Sequence, residues 1–308
     1  MITTVTLNVA IDKSYVIDEL KKGEVMRVRT CSKTPGGKGL NVARVINLCG
    51  EEVVATGFIG GYSGAYIESL LQEQGITYDF TRTTSETRTC INVLDSEGNS
   101  TEFLEPGEPV TQSELNDFLD KFTQMITESD VITISGSVPK GIDTDIYARL
   151  VSMVKAKGKK VILDSSGDLL KEGIKACPTM IKPNRDEMQA LLNCPIDNWD
   201  ELINSAKKLQ NTGIEYVVVS LGVDGALVVT KDAVYHGKPP RIQPVNTVGS
   251  GDSMVAAFAV GLTRGYSIEK LLRYAIAVST ANTLTMTTGS FKVEDMKELY
   301  DQVSIISL

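Results

Sequence analysis

DVITISGS (130–137), DIYARLVSMVKAKG (145–158) and KVILDSSG (160–167) follow one another in the middle of the chain. The outer two are short apolar runs that end in small residues. The middle one carries its apolar residues at helical spacing. Strand, helix, strand over so short a stretch is the crossover unit of a parallel sheet. The same rhythm continues on both sides. ELNDFLDKFTQMI (114–126) and DELINSAKKLQNTG (200–213) predict helices, as do SIEKLLRYAIAVSTANTLT (267–285) and VEDMKELYDQV (293–303), the last closing the chain. VTLNVAI (5–11), VVATGFIGG (53–61), MIKPN (180–184) and YVVVSLG (216–222) predict strands, and GALVVTKDAVYHG (225–237) a hairpin. Continuous strand runs alternating with amphipathic helices predict a parallel sheet covered on both faces.

In such sheets, sites lie beyond the carboxyl ends of the strands. The candidate loops are SGSVPKG (135–141), DSSG (164–167), KPN (182–184), SLG (220–222) and TVGSGD (247–252). Segments near 12–34 and 86–104 break the alternation. They read as antiparallel strands outside the main sheet, either a small β lid or an edge extension without a role.

The bulk numbers narrow the class. With 308 residues and 42% hydrophobic content, the chain can bury a large core. A formal net charge of -8 argues against nucleic acid or an anionic membrane as partner. No window holds the roughly 18 apolar residues a membrane span needs, and the N-terminus lacks a signal-peptide pattern. Five unpaired-looking cysteines, with no CxxC, suit a reducing compartment, hence a cytoplasmic protein. The single histidine, His236, reads as part of a surface turn in YHGKPP. Neither a P-loop nor a GxGxxG after the first strand is present.

NTVGSGDSM (246–254) runs straight into the apolar pattern MVAAFAVGL (254–262). Gly249 and Gly251 let backbone approach a ligand, and the free N–H groups of a helix start make an anion site. Asp252 in that first turn either caps its own helix or serves a reaction. A helix start is expected to keep its pKa low.

Taken together, TLNVAID (6–12), TPGGKGLNVARV (34–45), ETRTC (86–90), ISGSVPKG (134–141), ILDSSG (162–167), IKPNRDE (181–187), VVSLGVDGA (218–226) and NTVGSGDS (246–253) resemble the ribokinase-like (PfkB) carbohydrate kinases, in their phosphosugar branch. The match runs the whole length. Val9 stands where relatives usually carry proline, a change that removes no functional group, and Asn246 where much of the superfamily has aspartate, a position at which the phosphosugar branch often has asparagine. The resemblance implies an α/β three-layer αβα sandwich with a mainly parallel sheet and a small β lid, as a single kinase domain over 1–308. It implies ATP-dependent phosphorylation of a ketohexose monophosphate to the 1,6-bisphosphate, with tagatose 6-phosphate ahead of fructose 1-phosphate. A non-catalytic sugar-phosphate sensor is the rival class.

The roles it implies are these. Asp252 is the general base, and the N–H groups of Gly249, Ser250 and Gly251 cradle the migrating phosphoryl. Asp12 and Asn41 hold sugar hydroxyls, with Gly36 and Gly37 giving close backbone approach. Lys38, Arg88 and more weakly Lys140 meet the phosphate the sugar already carries. Lys182 approaches an ATP phosphate. Asn184 and Glu187 hold Mg²⁺, Asn184 through water. Ser220, Gly222 and Gly225 border the nucleotide, and Asn282 reaches its adenine side. Cys90, alternating with Arg88, is read as packing. A homodimer formed through the lid completes the expectation.

Overall fold

A computed structural model describes residues 1–308. Its first half contains β1 (Ile2–Thr6), β2 (Ala10–Val16), β3 (Thr30–Gly36), α1 (Lys38–Leu48), β4 (Val53–Gly60), α2 (Gly61–Glu73), β5 (Thr77–Tyr78), β6 (Thr81–Thr83), β7 (Arg88–Leu94), β8 (Ser100–Leu104) and α3 (Gln112–Glu128). The second half contains β9 (Val131–Ser135), α4 (Ile146–Ala156), β10 (Lys160–Asp164), α5 (Gly167–Gly173), β11 (Met180–Ile181), α6 (Arg185–Leu192), α7 (Trp199–Gln210), β12 (Tyr216–Ser220), β13 (Ala226–Val229), β14 (Val234–Lys238), α8 (Ser250–Thr263), α9 (Ile268–Asn282), α10 (Val293–Gln302) and β15 (Ser304–Ser307).

The main sheet has the order β15-β14-β13-β12-β11-β10-β9-β1-β4-β5, with β6 also pairing to β4. From β5 to β12 every pairing is parallel; the last three pairings are antiparallel. Strand residues alternate between two cores, as a period of two demands. Val161 and Leu163 pack with Phe118, Phe122 and Tyr147, while Ile162 packs with Val255, Phe258 and Leu272. Helices therefore cover both faces, and the expected three-layer sandwich is what forms. α8 is buried along nearly its whole length, wedged between α1 and α9. That explains a helix apolar on every side. No helix is long and apolar enough to cross a membrane.

Four elements were not legible in the chain's periodicity: the two short strands β5 and β6, together with α5 and β15. α5 is one short turn-rich helix, and β15 is a mostly exposed edge strand added to β14 beyond the helix expected to end the chain.

The irregular segments form a separate four-stranded sheet, β3-β2-β7-β8. It is not purely antiparallel as expected. β2 and β7 pair in parallel, Ala10 against Arg88 through Val16 against Leu94. Both strands leave the same edge of the main sheet in the same direction, so the two excursions meet side by side.

Phe118 is fully buried, its ring 5.1 Å from Phe58 and 5.7 Å from Phe122. Phe118→Ala is expected to cost about 3–5 kcal/mol in urea unfolding, the usual range for an emptied aromatic site. A loss below about 1 kcal/mol would show that this face is not close-packed.

Candidate active site

A cavity of about 540 Å³ opens at the carboxyl edge of the main sheet, between it and the small sheet. Asp12, Arg88 and Cys90 reach it from the small sheet, Gly37, Lys38 and Asn41 from the start of α1, and Gly249 to Asp252 from the start of α8. Of the five loops predicted from strand ends, SGSVPKG, DSSG and TVGSGD converge here, while KPN and SLG meet at a second cavity lined by Asn184, Ser220 and Leu221.

The GSGD turn is built for an anion. Gly249 has φ 80°, and a Cβ there would lie 2.6 Å from Thr288 Cγ2 and 2.9 Å from the Gly289 nitrogen. Only glycine fits both the dihedral and the space. The N–H groups of Gly249, Gly251 and Asp252 have no acceptor in the chain, and that of Ser250 has a long bond of 3.3 Å to Thr247 O. α3 and α6 spend a capping box at this position; α8 has no side-chain cap. Asp252 therefore does not cap its own helix. Its Oδ2 instead accepts a hydrogen bond of 2.9 Å from Asn41 Nδ2.

Asp252 also departs from the expected low pKa. Burial dominates and pushes its carboxyl up to about 6; the neighbouring Asp164 adds to the rise, while Lys38, the Asn41 bond and Lys182 oppose it. Desolvation outweighs the helix-start field because the side chain is only 7% exposed. Asp12 behaves alike. Burial raises it to about 6 against the pull of Arg44, a Gly37 N–H and Arg88. Gly36 makes room for it: a Cβ on Gly36 would sit 2.1 Å from the Asp12 carboxyl carbon.

Asp164, at the end of β10, is the one acid of the group whose pKa is lowered. Its two oxygens lie 3.3 Å from Lys38 Nζ and 3.3 Å from Lys182 Nζ. Burial works to raise its pKa, but the two ammonium charges overcome that and hold the carboxyl below its usual range. Lys38 is correspondingly held more basic by Asp164. Lys182 is buried, and its Nζ would be 3.3 Å from a Cβ on Gly251, so it stands directly beside the GSGD turn. Asp164 was not singled out from the sequence, although its loop was. A strand-end acid in DSSG looks like any turn residue until its two lysines are located.

Arg44 was also missed. It is buried in α1, and its guanidinium bonds to Asn41 Oδ1, Gln74 Oε1, Pro35 O and Thr288 O. The available signal was its helical spacing of three from Asn41, which places both on one face.

Other expected residues stand differently. Arg88 lines the cavity, but Nε and Nη2 donate to Asn8 O and Nη1 to Glu105 O, leaving two N–H groups for a ligand. Lys140 is exposed and does not line the cavity. Asn282 is buried with its amide spent on Val248 O and the Ser290 N–H, so it braces the glycine turn. Asn184 and Glu187 form a capping box at α6, the rival reading of that spacing. Ser220 sits beside Asn184 across an isolated bridge, and Gly222 and Gly225 take φ 58° and 85° in the turn that follows. Cys90 is buried in the cavity wall. His236 is no surface turn: it is buried in β14, with Nε2 2.8 Å from Asp224 O and the Trp199 ring at 4.6 Å. Lys182, expected to approach an ATP phosphate, stands beside the GSGD turn with its Nζ 3.3 Å from Asp164 Oδ1.

A family model described as pfkB family carbohydrate kinase matches residues 5–295. A tagatose-6-phosphate kinase of Staphylococcus epidermidis is 41% identical over 311 positions, covering all of both chains. Phosphofructokinase-2 of Escherichia coli, solved in complex with potassium, superposes with a TM-score of 0.91 at 29% identity, covering 98% of each chain. A Thermotoga maritima protein described as a possible 1-phosphofructokinase superposes with a TM-score of 0.91 at 27% identity, covering 100% of this chain and 99% of its own.

Two carboxyl groups in this cavity, Asp12 and Asp252, are expected to titrate near pH 6, protonated below and ionised above. Carboxyl ¹³C NMR measures this. Asp252→Asn removes one of the two titrations and leaves that of Asp12; separately, Lys182→Met moves the Asp252 titration upward by withdrawing a cation. Both carboxyls titrating near pH 4 would contradict the burial described.

Proposed function

The chain belongs to the pfkB family of carbohydrate kinases, and on that premise we propose that it transfers the γ-phosphoryl group of ATP to O1 of D-tagatose 6-phosphate, giving D-tagatose 1,6-bisphosphate. The observation that carries this reading is the Asn41-held Asp252 standing beside the Gly249 and Gly251 N–H groups, which have no acceptor in the chain.

Asp252 takes the proton from the attacking hydroxyl as its oxygen bonds to the γ-phosphorus and the bond to the ADP oxygen breaks. A base near pKa 6 suits a proton given up at neutral pH better than an ordinary aspartate does. Asn41 fixes which carboxylate lone pair faces the hydroxyl. The free N–H groups of Gly249 and Gly251, with Ser250 between them, stabilise charge on the moving phosphoryl oxygens. Lys182 supplies a full positive charge at the same turn, and Lys38 a second, both aimed by Asp164. This geometry favours Lys38 acting on the transferring group. The phosphate already on the sugar falls to the remaining N–H groups of Arg88 and to neighbouring residues of the small sheet. Asp12 and the Gly36–Gly37 backbone face the sugar itself.

Mg²⁺ fits the donors at α6 only in a water-shelled form. The capping box occupies Asn184 Oδ1 and Glu187 Oε2, leaving Glu187 Oε1 without a partner in the chain. One carboxylate oxygen plus waters and substrate phosphates is the way this ion is usually held. When bound there it would neutralise ATP phosphate charge.

The small sheet acts as the lid over the sugar, excluding water that competes for the phosphoryl group. Its outer strand β8 exposes Phe103 and Leu104, which suits pairing with a second copy. The five cysteines are free thiols, in keeping with a cytoplasmic enzyme.

A coupled assay of ADP release across tagatose 6-phosphate, fructose 1-phosphate, fructose 6-phosphate and unphosphorylated sugars ranks the substrates. Tagatose 6-phosphate is expected to give the highest kcat/KM; a higher value for fructose 1-phosphate would make this a 1-phosphofructokinase. Asp252→Asn is expected to lower kcat by at least ~10²-fold with sugar and ATP affinity kept. Near-wild-type turnover would remove Asp252 as the base. Arg88→Ala is expected to raise KM for the sugar phosphate well above its effect on KM for ATP, and equal effects would count against its contact with that phosphate.

A further inference from the structure

We propose that Arg44 is a positioning residue that sets the orientation of the Asn41 amide, and through it Asp252, while tying both to the return strand of the lid. The proposal rests on Asp252 being the reactive carboxylate. Arg44 does not itself line the cavity but bonds to two residues that do, Asn41 and Thr288. It works from behind α1, 7% exposed, with four of its five N–H groups committed.

The Asn41 amide has two possible orientations. Arg44 Nη1 donates to Asn41 Oδ1 at 3.2 Å, and Asn41 Nδ2 donates to Asp252 Oδ2 at 2.9 Å. In the flipped orientation the NH₂ would face a guanidinium, which has no acceptor, and the carbonyl oxygen would face a carboxylate. Both contacts would be repulsive. An arginine behind the asparagine therefore permits one orientation only. The same Nη1 also donates to Thr288 O at 2.7 Å. Thr288 backs the Gly249 position, since its methyl is the atom a Cβ there would strike. Nη2 donates to Pro35 O at 2.6 Å, one residue before Gly36, which crowds Asp12. One guanidinium thus fixes the base, the phosphoryl turn and the sugar-side backbone relative to each other.

Its charge acts on the same two acids. Arg44 lowers the pKa of Asp12, and both Asp12 and Asp252 in turn oppose the burial that pulls Arg44 down to about 10. The other groups facing Asp252 are Lys38, Lys182 and Asp164; those facing Asp12 are Arg88 and Asp252.

Arg44→Lys keeps the charge but cannot serve Asn41, Pro35 and Thr288 at once. It is expected to lower kcat about 10-fold or more, the effect of a small misplacement of a reacting group, with the acid limb of the kcat–pH profile unmoved. Arg44→Gln loses the charge as well. Its acid limb is expected to move up, because Asp252 and Asp12 lose a nearby cation, with little change in KM for ATP. Gln74→Ala, which removes only the outermost partner, is expected to match wild type. Near-ultraviolet circular dichroism establishes that each variant is folded. A folded Arg44→Lys with wild-type kcat overturns the proposal, as does a folded Arg44→Gln whose acid limb stays in place. The ¹³C titration of Asp252 in Arg44→Gln reads the same coupling without turnover, so an inactive wild type would count against the kinase reading alone, and an unmoved titration against this one.

Discussion

Asp164 holds two ammonium groups apart and in place, and the chemistry of the cavity depends on that contact. A buried carboxylate without partners would take up a proton; the buried Lys182 and the half-exposed Lys38 give Asp164 two partners. Together they remain charged at the end of β10, where the parallel sheet stops and the loops begin. The sheet supplies the precision: Lys182 follows β11 and Asp164 ends β10, and those strands pair in register, Leu163 against Ile181. Lys38 reaches the same carboxylate from α1 on the other side. The two ammonium groups near the GSGD turn are therefore placed by strand pairing and by the start of α1, although the chain as a whole is acidic.

Asp252 shows two effects of opposite sign meeting at one residue. A helix start favours a charged carboxylate, and burial disfavours it. Burial wins because α8 is a core helix, enclosed by α1 and α9, and its first turn is closed in with the rest of it. The sequence MVAAFAVGL already declares a core helix; what it hides is that the acid ahead of it is enclosed too.

Much of the fold was legible because alternation of strand and helix is a local property. The three-layer sandwich followed from runs such as KVILD and YVVVS. What escaped were β15, too exposed to show a buried face, and the parallel pairing of β2 with β7, which joins segments far apart in the chain. The candidate site divides along the same line. Gly249, Asp252 and Asn41 were legible because the motif carries them at fixed spacing. Asp164 and Arg44 were not, since their meaning lies in partners from other elements. The same limit explains Asn282 and Lys140: one was expected to reach a ligand and braces a turn, the other was expected in the pocket and points to solvent. His236 was misjudged because the prolines after it suggested a turn, while its own place is in strand β14, under Trp199.

The small sheet joins the body at four crossings of the chain, and each crossing is cross-braced. Arg88 clamps Asn8 at the first and Glu105 at the last, Arg44 holds Pro35 at the second, and Glu86 at the third caps the start of α2 through the Tyr62 and Ser63 N–H groups. Mechanically this is a plate on four stiffened posts, not a flap on a single hinge. Such a plate yields by tilting as a whole through a small angle, with the load shared among charged hydrogen bonds. Its compliance is then set by two arginines and one glutamate instead of by the flexibility of any loop.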